Sequence, residues 1–134
     1  MEIKDLSVGM SCELRKTFSE EDVRAFAELS LDRNPVHLNA DYAAQSIFKR
    51  QIVHGFLTGS LISAIIGTKM PGPGSIYLHQ DMDFKKPVYI GDEVRAVVTV
   101  SNIKTEKSIV YLQTNCYNQQ NEVVVEGNAI IKLI

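Results

Sequence analysis

Most of the second half of the chain alternates between apolar and polar residues, which is the period of a strand with one buried face. The alternation predicts four strands, at residues 76–84, 94–100, 109–117 and 123–133. Turn-forming residues separate them, among them Pro87 and the pair Gly91-Asp92. Strands joined by such short turns pair antiparallel. The pattern therefore predicts one antiparallel sheet.

A long apolar helix is predicted before the sheet, over residues 55–70. Apolar side chains occupy nearly every side of this helix, and a helix of that kind is buried. Its length of about 24 Å falls short of the ~20 residues of a membrane span. Because the sheet must cover one of its own faces, we expect it to wrap around this helix. The predicted fold is α+β, a single domain over residues 1–134 with a long central helix.

The first third of the chain predicts a short strand and two helices. The strand covers residues 12–18, and Ser19 with Asp22 has the spacing of a capping box that begins a helix over residues 20–31. Asn39 can cap a second helix over residues 40–48. The first helix is expected to turn one face inward, made of Val23, Phe26, Ala27 and Ser30.

Composition excludes several classes of protein. The net charge of the 134 residues is −2, and no run of basic residues is longer than two, so we expect no nucleic-acid partner. Cys12 and Cys116 lie far apart without a CxxC pattern, which favours two reduced cysteines over a disulfide framework or a zinc site. The N-terminus is charged and lacks the apolar stretch of a secretory signal, so a cytoplasmic location is expected.

One polar motif brings an acid and an imidazole close together between the two predicted N-terminal helices. In the motif Asp32-Arg33-Asn34-Pro35-Val36-His37, Pro35 prevents Asp32 and His37 from lying on one regular helix. The residues favour a turn that presents both side chains from a rigid loop. His54-Gly55 follows, with His54 17 residues after His37, and supplies a bare backbone amide at the start of the apolar helix. An acid, a base and an amide donor are thus available to one substrate.

Each of these residues also has a structural interpretation. Asp32 with Asn34 forms an ordinary turn at a helix end, and a single histidine such as His37 is often a hydrogen-bonded structural residue. His54 is expected to cap or shape the turn before the helix, and His79 to occupy a non-catalytic strand position. A metal site made of Asp32, His37 and His54 is conceivable, but no metal-binding spacing such as HExxH is present. We therefore expect no metal.

The motif resembles the signature of the hydratase 2 family, the (R)-specific enoyl-CoA hydratases related to MaoC-like dehydratases, which have a hotdog fold. Leu31 stands where many members of that family have glycine. Residues 52–55, 71–78, 84–88 and 91–94 also resemble the single-domain bacterial members that supply (R)-3-hydroxyacyl-CoA to polyhydroxyalkanoate synthesis. The signature is carried by Phe26, Ser30, Asp32, Asn34, Pro35, Val36, His37 and Ala43.

This resemblance implies reversible hydration of a trans-2-enoyl-CoA to the (R)-3-hydroxyacyl-CoA. Asp32 and His37 would hold one water, and the Gly55 amide would stabilise the enolate oxygen that develops. Asn34 would fix the loop, and Ser63 would hydrogen-bond to Asp32 and orient it. No cofactor is expected because coenzyme A is part of the substrate. The family also implies a homodimer.

The acyl chain is expected to lie in a tunnel bounded by the central helix. The branched residues Ile62, Ile65 and Ile66, with Ile131 as a possible floor, favour short chains of about four to six carbons. A hotdog acyl-CoA thioesterase is one alternative, but residues 55–70 lack the carboxylate that many such enzymes carry there. A non-catalytic acyl-CoA-binding module is the other, and such a module needs neither Asp32 nor His37. The acyl carrier, coenzyme A or a carrier protein, stays open.

Overall fold

Five strands form one antiparallel sheet in the computed structural model, which describes residues 1–134. In chain order they are β1 (Ser11–Thr17), β2 (Ser75–Phe84), β3 (Glu93–Lys104), β4 (Ile109–Tyr117) and β5 (Val123–Leu133). Their order in the sheet is β1-β3-β4-β5-β2, and all neighbouring pairs are antiparallel. The sheet predicted from the alternation is confirmed, with β3 longer at its end than residues 94–100.

The long apolar helix α4 (Gly55–Thr68) packs against this sheet. Side chains from the sheet and from α4 supply most of one core cluster of 22 buried residues, among them Val98, Leu112 and Ile131. Burying each such aliphatic side chain stabilises the fold by about 1.5–3 kcal/mol. The helix ends two residues before the predicted position 70. No helix of the structure combines the length and apolar character needed to cross a membrane.

Only one face of α4 is buried, so the prediction of a helix buried all round is wrong for this chain. The sheet covers the side that carries Leu61, Ile62, Ile65 and Ile66. The opposite side is exposed, and Phe56 there is 68% exposed. The physical reason is that a single sheet can cover only one side of a helix. The exposed side carries Phe56, Ser60, Ser63, Ala64 and Gly67.

Three short helices precede α4, namely α1 (Glu20–Ser30), α2 (Pro35–Leu38) and α3 (Ala40–Gln45). The capping box is confirmed, because the Ser19 hydroxyl accepts the Asp22 N–H and the Asp22 carboxylate accepts the Ser19 N–H. Asn39 caps α3 as predicted, but α3 ends three residues before position 48. On the predicted inward face of α1, Ser30 is exposed and that prediction is wrong, since the helix ends there and the chain turns outward.

The two edges of the sheet differ in character. The outer strand β1 carries Glu13, Arg15 and Lys16, and charged side chains protect an edge strand from pairing. The other outer strand, β2, exposes large apolar side chains, with Leu78 52% and Phe84 51% exposed.

Both cysteines are free, and burial raises the pKa of the Cys116 thiol to about 12.

Candidate active site

Asp32 lies in the loop after α1, and His37 lies on the one-turn helix α2. Leu31 ends α1 with a φ of 69°, a left-handed conformation that glycine adopts at least cost, and this turn separates Asp32 from the helix. The Asn34 side chain caps α2 by accepting the Val36 N–H, and Asp32 Oδ1 accepts the Asn34 N–H. Local hydrogen bonds therefore restrain this segment, although His37 lies on the short helix α2 and not in the predicted loop.

His37 is almost fully buried, with 7% of its surface exposed. Its Nδ1 lies 2.7 Å from the carbonyl oxygen of Ile52. Because a carbonyl only accepts, Nδ1 carries the proton of the neutral ring and Nε2 keeps a free lone pair. Burial lowers the pKa of His37 below 6.5, against the opposing effects of the Ile52 hydrogen bond and the Asp32 charge. The ring is therefore neutral at pH 7 and can accept a proton at Nε2.

His54 joins Asp32 and His37 in one cluster. Its ring stacks on that of His37, with centroids 3.8 Å apart and planes inclined by 26°. Its Nε2 lies 2.9 Å from the carbonyl oxygen of Asp32 and donates to it. His54 is the N-cap residue of α4 but makes no side-chain capping bond, so the predicted capping function is not formed. It instead ties α4 to the loop of Asp32.

The amide of Gly55 begins α4 with no acceptor in the protein. The first N–H groups of a helix lack partners within the helix, and the positive end of the helix dipole lies there. A Cβ at position 55 would lie 2.6 Å from Cε1 of Phe84. The structure thus gives a packing reason for glycine at position 55, in addition to the bare amide that the sequence indicates.

A groove of about 470 Å³ opens beside this helix start and includes Gly55 in its wall. The Thr58 hydroxyl is buried here without a hydrogen-bond partner. Lys85 and Lys86 lie at its rim, and Lys86 forms an ion pair with Glu122. The remaining lining is mostly apolar, from Phe48, Ile52, Val53, Phe56, Phe84, Pro87, Val88 and Val125. An apolar groove with cations at its rim suits a long molecule that has an anionic end.

Other residues singled out in the sequence lie elsewhere. Ser63 is on the exposed side of α4, and the predicted hydrogen bond to Asp32 is not formed. The predicted tunnel residues lie in the core, where each is at most 1% exposed, and none of them lines the groove. These residues are Ile62, Ile65, Ile66 and Ile131. The sequence did not identify Thr58 and Phe84 as residues of the site, because their positions look like ordinary helix and strand positions.

The cluster brings three potential metal ligands together, with one ligand atom of each of Asp32, His37 and His54 within 4.8 Å of the others. One nitrogen of each imidazole already donates to a backbone carbonyl. Stacked rings also direct their in-plane lone pairs along nearly parallel planes rather than toward one point. The arrangement suits proton transfer better than tetrahedral metal coordination.

The chain matches known proteins along nearly its whole length. Residues 6–124 match the family described as the MaoC like domain. An (R)-specific enoyl-CoA hydratase of Rhodospirillum rubrum is 48% identical over 128 residues, which are 96% of this chain and 88% of that protein. An (R)-specific enoyl-CoA hydratase of Aeromonas caviae is 45% identical over 133 residues, 99% of each chain.

A solved structure is similar to this chain over the same length. The (R)-hydratase from A. caviae involved in PHA biosynthesis has a TM-score of 0.95 at 45% identity, covering 98% of this chain and 99% of that one. These similarities include every segment that forms the cluster of Asp32, His37 and His54 and the start of α4.

Proposed function

Because this chain belongs to the MaoC-like family, with its hotdog fold, we propose that it is an (R)-specific enoyl-CoA hydratase. It is a hydro-lyase that adds water to a trans-2-enoyl-CoA and, in reverse, dehydrates the (R)-3-hydroxyacyl-CoA. The observation that carries the catalytic assignment is the pairing of Asp32 with a neutral, buried His37 next to the free Gly55 amide. Coenzyme A belongs to the substrate, and residues 1–134 act as one domain.

Water is a weak nucleophile and C3 of the enoyl thioester is a weak electrophile, so the enzyme must activate both. In our proposal one water lies between Asp32 and His37, and His37 Nε2 accepts its proton as the oxygen bonds to C3. The Asp32 carboxylate orients this water and stabilises the imidazolium that forms. Electrons move to the thioester oxygen, which the Gly55 N–H and the helix dipole stabilise. The imidazolium then returns the proton to C2 on the same face, which gives syn addition.

The direct test is hydration of crotonyl-CoA followed by chiral analysis of the product. We expect loss of enoyl absorbance and formation of the (R)-3-hydroxyacyl-CoA. Release of free coenzyme A would instead identify a thioesterase, although α4 has no Asp or Glu to serve one. Binding without turnover would identify an acyl-CoA-binding module, and an (S) product would overturn the proposed geometry.

We propose that the acyl chain is short, about four to six carbons, because branched residues close its path into the core. Ile66→Val should raise kcat/KM for a longer enoyl-CoA relative to crotonyl-CoA by roughly 10-fold or more, since one methylene is worth ~1–3 kcal/mol. Valine is preferred to alanine because a buried Ile→Val change costs only about 0.5–1.5 kcal/mol of stability. The measurement is the ratio of kcat/KM values across chain lengths.

A groove variant provides the matched control for chain length. Val125→Ala shortens a side chain in the wall of the 470 Å³ groove and so enlarges the groove, while the residues of α4 stay unchanged. Should only this variant shift the chain-length ratio, the acyl chain would lie in the groove, and Ile62, Ile65, Ile66 and Ile131 would be core residues alone.

We also propose a homodimer in which β2 pairs with β2 of a second copy. A long edge strand with exposed apolar side chains is a template for pairing, and β2 has 10 residues. Such pairing is isologous, so the same surface serves both copies. The exposed side of α4, including Phe56, supplies further apolar surface for this contact.

The dimer is tested by placing a charge on the edge. Leu78→Lys, at a residue that is 52% exposed, should convert the dimer to a monomer, as measured by light scattering. Val8→Lys is the control, because Val8 is 64% exposed but lies outside the strands. A monomeric parent protein, or a Leu78→Lys variant that stays dimeric, would overturn this interface.

A further inference from the structure

We propose that His54 is a positioning residue that holds Asp32 through its backbone carbonyl and supports the ring of His37 by stacking. The inference rests on the proposed roles of Asp32 and His37 in hydration. His54 is 2% exposed, its Nε2 is 2.9 Å from the Asp32 carbonyl oxygen, and its ring centroid is 3.8 Å from that of His37. Few side chains can restrain both members of an acid-base pair at once.

The tautomer of His54 follows from its contacts. Nε2 must carry a hydrogen because it faces a carbonyl, so the second nitrogen, Nδ1, carries the lone pair in the neutral ring. Nδ1 is buried without any hydrogen-bond partner. Because the Nε2 hydrogen is held by the Asp32 carbonyl and Nδ1 has no polar neighbour, His37 is the imidazole that gains and loses a proton during turnover.

His54 also connects the acid-base pair to the Gly55 amide, the proposed oxyanion donor. It immediately precedes Gly55, and Phe26 of α1 contacts its ring edge-to-face at 4.8 Å. The ring thus contacts α1 and α2 immediately before the first residue of α4. Movement of the Asp32 loop relative to the Gly55 amide would require this stack and this hydrogen bond to break.

The environment of His37 gives the expected pH effect. Burial, to which the stacked His54 ring contributes, lowers the pKa of His37, whereas the hydrogen bond to the Ile52 carbonyl and the Asp32 charge raise it. Removing the His54 ring admits water and raises the pKa of His37. Since His37 acts as a base in its neutral form, a higher pKa moves the acid limb of the kcat/KM profile to higher pH.

Two substitutions separate the hydrogen bond from the stack. His54→Phe keeps an aromatic ring against His37 but loses the donor to the Asp32 carbonyl. We expect kcat to fall about 100-fold, which is the cost of a misplacement of about 1 Å. The acid limb of the kcat/KM profile should stay where it is. His54→Gln keeps an N–H donor but loses the ring, so the acid limb should move to higher pH. Asp41→Asn, at an exposed residue in the first turn of α3, is the control and should match the parent in both respects.

A measurement without activity completes the test. Long-range proton–nitrogen NMR should find a hydrogen on Nε2 of His54 and on Nδ1 of His37. The inference fails if Nε2 of His54 carries no hydrogen, or if both folded His54 variants keep the parent pH profile and kcat. A lowered Tm with both kcat and the pH profile unchanged would show a merely structural residue. Failure of the proposed function is distinct, because the unsubstituted protein would then not hydrate crotonyl-CoA at all.

Discussion

Asp32→Asn and His37→Gln are each expected to lower kcat for crotonyl-CoA hydration by about 100- to 10,000-fold while the protein stays folded. The asparagine keeps an oxygen to accept the Asn34 N–H but lacks the negative charge that stabilises the imidazolium. The glutamine can still donate to the Ile52 carbonyl but has no basic nitrogen. His37→Ala should lose as much activity, with some additional loss of stability because the Ile52 carbonyl loses its donor.

The double variant Asp32→Asn/His37→Gln should be little slower than either single variant, because residues that act on one water are not additive. Stopped-flow absorbance gives kcat, and thermal unfolding checks the fold. Asp41→Asn removes an exposed aspartate from the first turn of α3 and serves as the control. Turnover near that of the parent in either folded single variant would contradict the mechanism.

Gly55→Val is expected to lower turnover about 100- to 1,000-fold, the usual cost of losing one oxyanion donor, with a smaller effect on Tm. A Cβ at position 55 overlaps the Phe84 ring, but the overlapping atoms are the far end of a flexible side chain that can shift. The overlap is therefore relieved at modest cost in stability. The thioester cannot move away in the same manner, because its carbonyl must reach the amide.

Two further variants separate packing from catalysis at this position. Gly67→Val lies on the same helix, where a Cβ meets nothing within 4 Å, and should leave activity unchanged. Gly55→Ala/Phe84→Ala removes the steric overlap while keeping a side chain beside the amide, and should stay slow. If this double variant regained full activity, and Gly55→Val lost stability in parallel with turnover, the glycine would serve packing alone.

The predictions made from the sequence were correct where short-range physics decides the structure. The alternation of β2 to β5 depends only on which face of a strand is apolar, and the structure has these strands. Caps at Ser19 and Asn39 join residues three positions apart, so the local sequence contains both partners. The Asp32-to-His37 loop likewise depends on Pro35 and on hydrogen bonds within five residues.

Contacts between distant segments could not be read from the sequence. The Asp32–His54 hydrogen bond spans 22 residues, and the Phe84 ring approaches Gly55 from a strand that the helix packs against. The side of α4 that the sheet covers decides which side of the helix is exposed, and with it the position of Ser63. It also decides the core packing of Ile62, Ile65, Ile66 and Ile131. Residue patterns determined the sites of α1, α3 and α4, most strand positions and the proposed acid and base. Only tertiary packing decided which groups surround them, because a pattern records the face of each element and not the distance between two elements.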